Sequence, residues 1–426
     1  MLLRFGVANH HSIRDAQELS LSASSLKERQ EKLIDCAAVP SGAVLPVVVI
    51  YGANASGKSN LIDAISTMRS MVLRSQTKGE PGGGVPRSPF KLDDDSPQLP
   101  SHFDIDFLID GVRYHYGFEA SDTAFESEWL YAFPKSHRQM LFERTGEEFR
   151  FGRGLKGQNR VIARLTRPNS LFLSAAAQND HEQLLEVFGY FRSLHVIRSI
   201  AVHEQTVSER LAEEELDRRV IDFLGKIDTG IIDYQQKESD LPEEILEMQQ
   251  ELFALFAKRA NVEPPEVKEK HVTIELAHRG RGGEPFYLEL DSESAGTRRL
   301  LLVLDLAFRA LDEGAPLFID ELDASLHTQA AEAVLKLFCS RETNPKGAQL
   351  IATTHDTNLL DSPLLRRDEV WFTQKDLDGA TQLYPLTDIR TRKSDNIEKG
   401  YLQGRYGAVP FNDPISALGS NLGASN

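Results

Sequence analysis

"VVVIYGANASGKSNLIDAI", residues 47–65, sets a β-branched apolar run against a glycine-bounded polar loop and then a helical repeat. Val47 to Tyr51 reads as a strand buried on both faces, as strands of parallel sheets are. Leu61, Ile62, Ile65 and Met68 recur at helical spacing. Between these segments Gly52-Ala53-Asn54-Ala55-Ser56-Gly57-Lys58-Ser59 matches the pattern G-x-x-x-x-G-K-[ST]. The glycines let successive backbone N–H groups turn inward around phosphate oxygens, at the positive end of a helix dipole. Lys58 supplies a point charge to β- and γ-phosphates, and the Ser59 hydroxyl is a ligand for Mg²⁺. The expected nucleotide contacts are Gly52, Asn54, Ala55, Ser56, Gly57, Lys58, Ser59 and Asn60.

Two downstream strands end in chemistry. "APLFIDELDASLH", 315–327, carries an apolar strand that stops at Asp320-Glu321. Adjacent carboxylates there suit two tasks: Asp320 holds Mg²⁺ through water, and Glu321 polarises an attacking water as general base. "AQLIATTHDTNLL" follows, with His355 placed after the strand as a donor to a γ-phosphate or to that water. In an open parallel sheet ligands bind at the carboxyl edge, where these three strands would converge. Glu321, His355 and Lys58 are therefore the expected catalytic groups.

The bulk composition is that of a globular protein, with 41% apolar and 26% charged residues. Two cysteines, Cys36 and Cys339, stand in no metal-ligand spacing and fit a reducing compartment. The N-terminus is polar within ten residues and no run approaches a membrane span, so a cytoplasmic protein is expected. A net charge of −16 opposes wholesale nucleic-acid binding, although the charge is uneven. Nine Lys/Arg face three Asp/Glu between Lys135 and Arg167, whereas fifteen acids face five bases between Glu204 and Glu251.

"DSESAGTRRL", 291–300, precedes an apolar run that reads as a helix from about Arg298 to Leu311. The order phosphate loop, Ser-Ala-Gly-Thr, Asp-Glu, His resembles ABC-type ATPases of the SMC/RecF kind, with Ser294-Ala295-Gly296-Thr297 in place of S-G-G-Q. That resemblance implies that Ser294 and Gly296 cap a γ-phosphate bound to a second copy in a head-to-tail pair. It also implies an opening turn at Asn9-His10-His11-Ser12, a seam segment at Asp323 to His327, and Gln178 as a sensor of Mg²⁺ and γ-phosphate. "GAQLIATTHDTNLLDSPLLRRDEVWFTQKD" and "RTRKSDNIEKGYLQGRYGAVPF" resemble bacterial anti-phage and abortive-infection ATPases of the RloA/AbiL type, relatives of the PARIS ATPase component. Such ATPases work with a separate effector, often a Toprim-type nuclease.

The expected fold is therefore α/β: a P-loop NTPase with an ABC/SMC-type head, parallel core sheet plus antiparallel β lobe, and an inserted helical subdomain. The head is split between 1–184 and 269–385, around an acidic helical insertion at 185–268, and a C-terminal extension covers 386–426. Lys78 to Pro100 reads as an exposed loop. "HFDIDFLIDGVRYHYGFE" alternates at period two around Asp110-Gly111, a hairpin signal within the β lobe. The expected function is that of a slow or partner-stimulated ATPase, using ATP and Mg²⁺, that dimerises and controls an effector. A RecF-like DNA-repair ATPase is the alternative, with DNA the less favoured ligand because of the acidic insertion.

Overall fold

The computed structural model describes residues 1–198, 215–227, 229–240, 243–260, 270–392 and 395–408. Parts of the acidic insertion (199–214, 261–269) and the end of the C-terminal extension (409–426) lie outside the described residues. Along the chain come β1 (Leu2–Ala8), β2 (Gln17–Ser20), β3 (Ile34–Asp35), β4 (Ala43–Val44), β5 (Val47–Gly52) and α1 (Lys58–Lys78). Then follow β6 (Ser101–Ile109), β7 (Val112–Ala120), β8 (Phe125–Phe133), β9 (Gln139–Thr145), β10 (Glu148–Phe151), α2 (Asn159–Leu165), α3 (Phe172–Gln178), α4 (Glu182–Ser193) and β11 (His195–Ile197). Next are α5 (Arg218–Lys226), β12 (Ile231–Asp240), α6 (Glu243–Ala260), β13 (Lys270–Arg279), β14 (Pro285–Glu289) and α7 (Ala295–Glu313). The chain closes with β15 (Pro316–Ile319), α8 (Thr328–Cys339), β16 (Gln349–Thr353), β17 (Val370–Lys375), β18 (Thr381–Pro385) and α9 (Ile397–Leu402).

By contact the chain forms two units, one of 1–199 with 309–426 and one of 200–308. The first holds a sheet of order β11-β15-β16-β5-β17-β18, parallel except for β18. Every residue of β5, β15 and β16 is buried, which accounts for their unbroken apolar runs. The same unit holds an antiparallel sheet of order β10-β9-β8-β7-β6-β1-β2. One face of it, including Phe103, Ile105, Phe107, Tyr116, Phe118, Leu130 and Phe142, joins the core with α1, α3 and α4. The β6–β7 turn has Asp110 at φ 45° and Gly111 at φ 78°, the two left-handed residues a tight hairpin of matching twist requires.

The structure shifts two expectations about organisation. The expected insertion boundary at 185 falls inside α4, which packs on α1 and leads into β11, an edge strand of the parallel sheet; the contact boundary lies at 199/200. The expected helical insertion also contains a strand, β12, and the second unit continues past 268 to 308, so that β12 pairs with β13, which pairs with β14, in a three-stranded antiparallel sheet. "YQQKESD" within β12 is polar on both faces, so no period-two apolar signal marks it. The stretch from Lys78 to Pro100 is exposed in part only, since Val85 and Phe90 are buried and the Phe90 N–H donates to the Asn9 side chain at 2.9 Å. Among the described residues no helix is long and apolar enough to cross a membrane.

Candidate functional site

The phosphate-loop pattern occupies the turn between β5 and α1, with Ala55 at φ 61° and Gly57 at φ 107°. Gly57 has to be glycine twice over: its φ is left-handed, and a Cβ would meet Thr381 Oγ1. Strands β17 and β18 brace the loop from one side. Ser56 Oγ lies 2.6 Å from Thr373 Oγ1, and Thr381 Oγ1 donates to the Ser56 carbonyl at 2.9 Å. Ser12, from the N-terminal turn, joins this brace through Thr381 Oγ1 at 2.7 Å and accepts from Asn60 Nδ2 at 2.6 Å. Asn54, Ala55 and Ser59 remain exposed at the mouth. The first-turn N–H groups of α1 have no partner within the helix, which makes them donors for an anion.

Lys58 is buried, and its ammonium donates to the Gly52 and Ala53 carbonyls at 2.9 and 3.1 Å. Burial lowers its pKa, and the nearby charges of Asp320, Glu321 and Asp323 offset part of that effect. The carboxylates of the downstream strand therefore share one electrostatic site with the loop lysine. Asp320 ends β15 and is buried; Thr353 Oγ1, at the end of neighbouring β16, donates to Asp320 Oδ1 at 2.7 Å. The same hydroxyl accepts from the Glu321 N–H at 2.7 Å, fixing Glu321 at a left-handed φ of 55°. Asp323 Oδ1 accepts from Thr354 Oγ1 at 2.7 Å and from the His355 N–H at 3.1 Å. His355 itself is exposed. Parallel strands β5, β15 and β16 thus bring Lys58, Asp320, Glu321 and His355 to one sheet edge, cross-braced by Thr353 and Asp323.

Ser294 is the residue before α7, which begins at Ala295 and not near Arg298. Its hydroxyl accepts from the Thr297 N–H at 3.1 Å, so Ala295-Gly296-Thr297 is the helix's own first turn under a serine cap. Ser294 is exposed and Gly296 half-buried. Both lie in the second unit.

The structure does not bring Gln178 to the loop. It ends α3, whose Ser174 hydroxyl accepts from the Gln76 N–H at 3.2 Å, at the far end of α1. At 1.5 Å per residue Gln76 is about 27 Å from Lys58, which leaves Gln178 more than about 15 Å away.

In its place the structure gathers a cluster that sequence reasoning missed. His10 Nε2 and His11 Nε2 approach Asp63 Oδ2 at 2.9 and 3.2 Å, and Arg198 pairs with the other carboxylate oxygen. Burial works against the Asp63 charge, yet hydrogen bonds from both histidines and the nearby charges of His10 and Arg198 outweigh it and hold the carboxyl far below its usual range. Burial lowers the His10 pKa. This cluster welds the N-terminal turn to the second turn of α1. Its only sequence signal is the pairing of a doubled histidine with an acid on the loop helix.

The donor set suits a magnesium nucleotide: first-turn N–H groups, an ammonium, a hydroxyl and a buried carboxylate, all hard ligands or anion donors. The family model described as "AAA domain, putative AbiEii toxin, Type IV TA system" matches residues 47–361, from the first residue of β5 to just beyond His355. No curated protein matches the chain. The match spans about three quarters of the sequence and encloses the loop, the carboxylate pair and the histidine, so the chain belongs to this AAA family of P-loop ATPases.

Proposed function

We propose that this chain is an ATP-hydrolysing switch of the ABC/SMC type that closes as a head-to-tail pair and thereby controls an effector, a Toprim-type nuclease, in anti-phage defence of the RloA/AbiL kind. The observation that carries the reading is the cross-braced edge formed by β5, β15 and β16, where Lys58, Asp320, Glu321 and His355 meet. Bound MgATP would supply the transferable phosphoryl group and its charge. Around it the loop N–H groups and Lys58 orient the phosphates, while Ser59 and Asp320 hold the metal. Glu321 takes the proton of the attacking water and His355 donates at the phosphoryl end. The exposed, serine-capped start of α7 supports a role for Ser294 and Gly296 toward a second copy, since an N–H-bearing helix terminus attracts phosphate. Such a site is complete only in the pair, which suits slow or partner-stimulated turnover.

The test is Glu321→Gln. With ATP and Mg²⁺ it should accumulate a dimer by light scattering while phosphate release falls roughly 100-fold or more, the usual worth of a positioned base. Unchanged turnover would remove Glu321 from the mechanism, and a monomer at saturating ATP would remove the pair.

A further inference from the structure

His10, His11 and Asp63 join the N-terminal turn to α1, and the phosphate-loop chemistry makes no use of them. Their donor atoms converge. His10 Nε2 and His11 Nε2 stand 2.9 and 3.2 Å from Asp63 Oδ2, and all three residues offer ligand atoms within 4.8 Å of one another. A tetrahedral zinc ion with bonds of about 2.0 to 2.1 Å sets its ligand atoms roughly 3.3 Å apart. The backbone holds this convergence in place. His10 and Ile13 exchange N–H···O bonds of 2.8 Å across a tight turn, and the His11 N–H donates to the Ser88 carbonyl at 2.6 Å. In extended chain adjacent side chains point to opposite faces. Here Asn9 and His11 flank His10 at left-handed φ of 51° and 49°, and two adjacent imidazoles reach one carboxylate. Arg198 pairs with Asp63 Oδ1 and Thr67 Oγ1 reaches Oδ2 at 3.3 Å, outer partners of the kind a metal-bound carboxylate has.

His10 Nδ1 is buried with no hydrogen-bond partner among the described residues, so the ring proton can sit there and leave Nε2 bare without breaking another bond. Burial also lowers the pKa of this ring, which favours the neutral form that ligates metals. A second convergence, Asp104, Asp106 and His115, lacks these properties. Arg4 pairs with both carboxylates there. Trp129 Nε1 donates to His115 Nε2 at 3.0 Å, which fixes the ring proton on Nδ1, the nitrogen that faces Asp106. We infer that His10, His11 and Asp63 bind a divalent transition ion, zinc(II) by preference, and that the ion clamps the N-terminal turn to the helix of the phosphate loop. Two imidazoles favour such an ion over magnesium, which takes oxygen ligands, so it is distinct from the nucleotide's metal. The His11 side chain is 42% exposed, which leaves the fourth position to water and the ion open to exchange. Ser12 follows directly and accepts from Asn60 at 2.6 Å, so the clamp extends to the brace of the loop. A clamp of this kind goes beyond the proposed control of an effector and stands whether or not that reading holds.

The full chain, stripped of metal with a chelator, should take up one zinc ion per chain from zinc chloride, with a Kd of roughly 1 µM or tighter by competition with a chromophoric chelator. Cobalt(II) chloride in its place should give the visible absorption of a tetrahedral site. Zinc should raise the melting temperature of the parent, since it binds only the folded chain. His11→Asn suits the left-handed backbone but offers no imidazole. It should melt close to the metal-free parent, bind zinc roughly 100-fold more weakly or worse, and lose both the cobalt absorption and the zinc-dependent rise in melting temperature. No stoichiometric zinc uptake by the parent would overturn the inference and leave the cluster a plain hydrogen-bonded weld. Equal zinc affinity in the variant, or a melting temperature that zinc does not move, would overturn it equally.

Discussion

Thr353 links the two carboxylates through one oxygen, giving its proton to Asp320 and accepting one from the Glu321 backbone. Thr353→Val keeps the shape but removes both bonds, leaving a buried carboxylate oxygen and an N–H without that partner. Unfolding by urea should show a loss of about 2 kcal/mol, the sum expected of one charged and one neutral hydrogen bond. Phosphate release should fall in parallel, and Thr353→Ser should recover most of both. An intact rate in the valine variant would mean that Glu321 needs no such anchor. Residues of this kind are poorly legible in sequence. Lys58, Asp320 and Glu321 announce themselves because a phosphate loop and a strand-end acid pair are local patterns. Thr353, Asp323 and the His10–Asp63–Arg198 cluster act through partners separated by about 30 to 135 residues, and nothing local marks those pairings. Gln178 failed for the opposite reason: a plausible local motif placed it near a loop from which α1 holds it apart.

At the level of elements, α9 packs against the strand that leads into the phosphate loop. Tyr401 stacks on Phe372 with centroids 5.6 Å apart and meets Tyr51 edge-on at 5.9 Å. Burial raises the pKa of its hydroxyl, which faces the Gly52 N–H. One turn earlier on the same helix, Glu398 accepts from Thr357, two residues after His355, at 3.1 Å. Tyr401→Phe should therefore lower stability to urea by about 1 kcal/mol and raise the KM for ATP roughly 2- to 10-fold, as loss of one hydrogen bond allows. A KM within error of the parent would confine α9 to packing. Strands β5, β15 and β16 were readable because each is wholly buried and thus continuously apolar. The second unit's strands were not, because β12 is polar beyond Ile232 apart from Tyr234 and every residue of β14 is exposed. The start of α7 was read three residues late, since Gly296 and Thr297 are weak helix formers and only the Ser294 cap reveals the boundary.

For the whole molecule, the paired arrangement has a stoichiometric signature. Lys58→Ala should lose nucleotide binding, and Ser294→Arg should bind nucleotide yet not turn it over. Mixed in equal amounts, the two inactive chains should recover up to roughly a quarter of parental phosphate release, since half the pairs are mixed and each mixed pair has one sound site. Absence of recovery, with mixed pairs demonstrated by differential tagging, would mean that each chain works alone. The order of strands carries one more consequence, for the ribosome. Strand β5, near the start of the chain, is flanked by β16 and β17, near its end. About 300 residues separate Gly52 from Thr353, and at 5–20 residues per second a nascent chain waits roughly 15 to 60 s before that neighbour emerges. Until then Val47 to Ile50 have no strand beside them, so newly made protein is a client for chaperones well before it can hold a triphosphate.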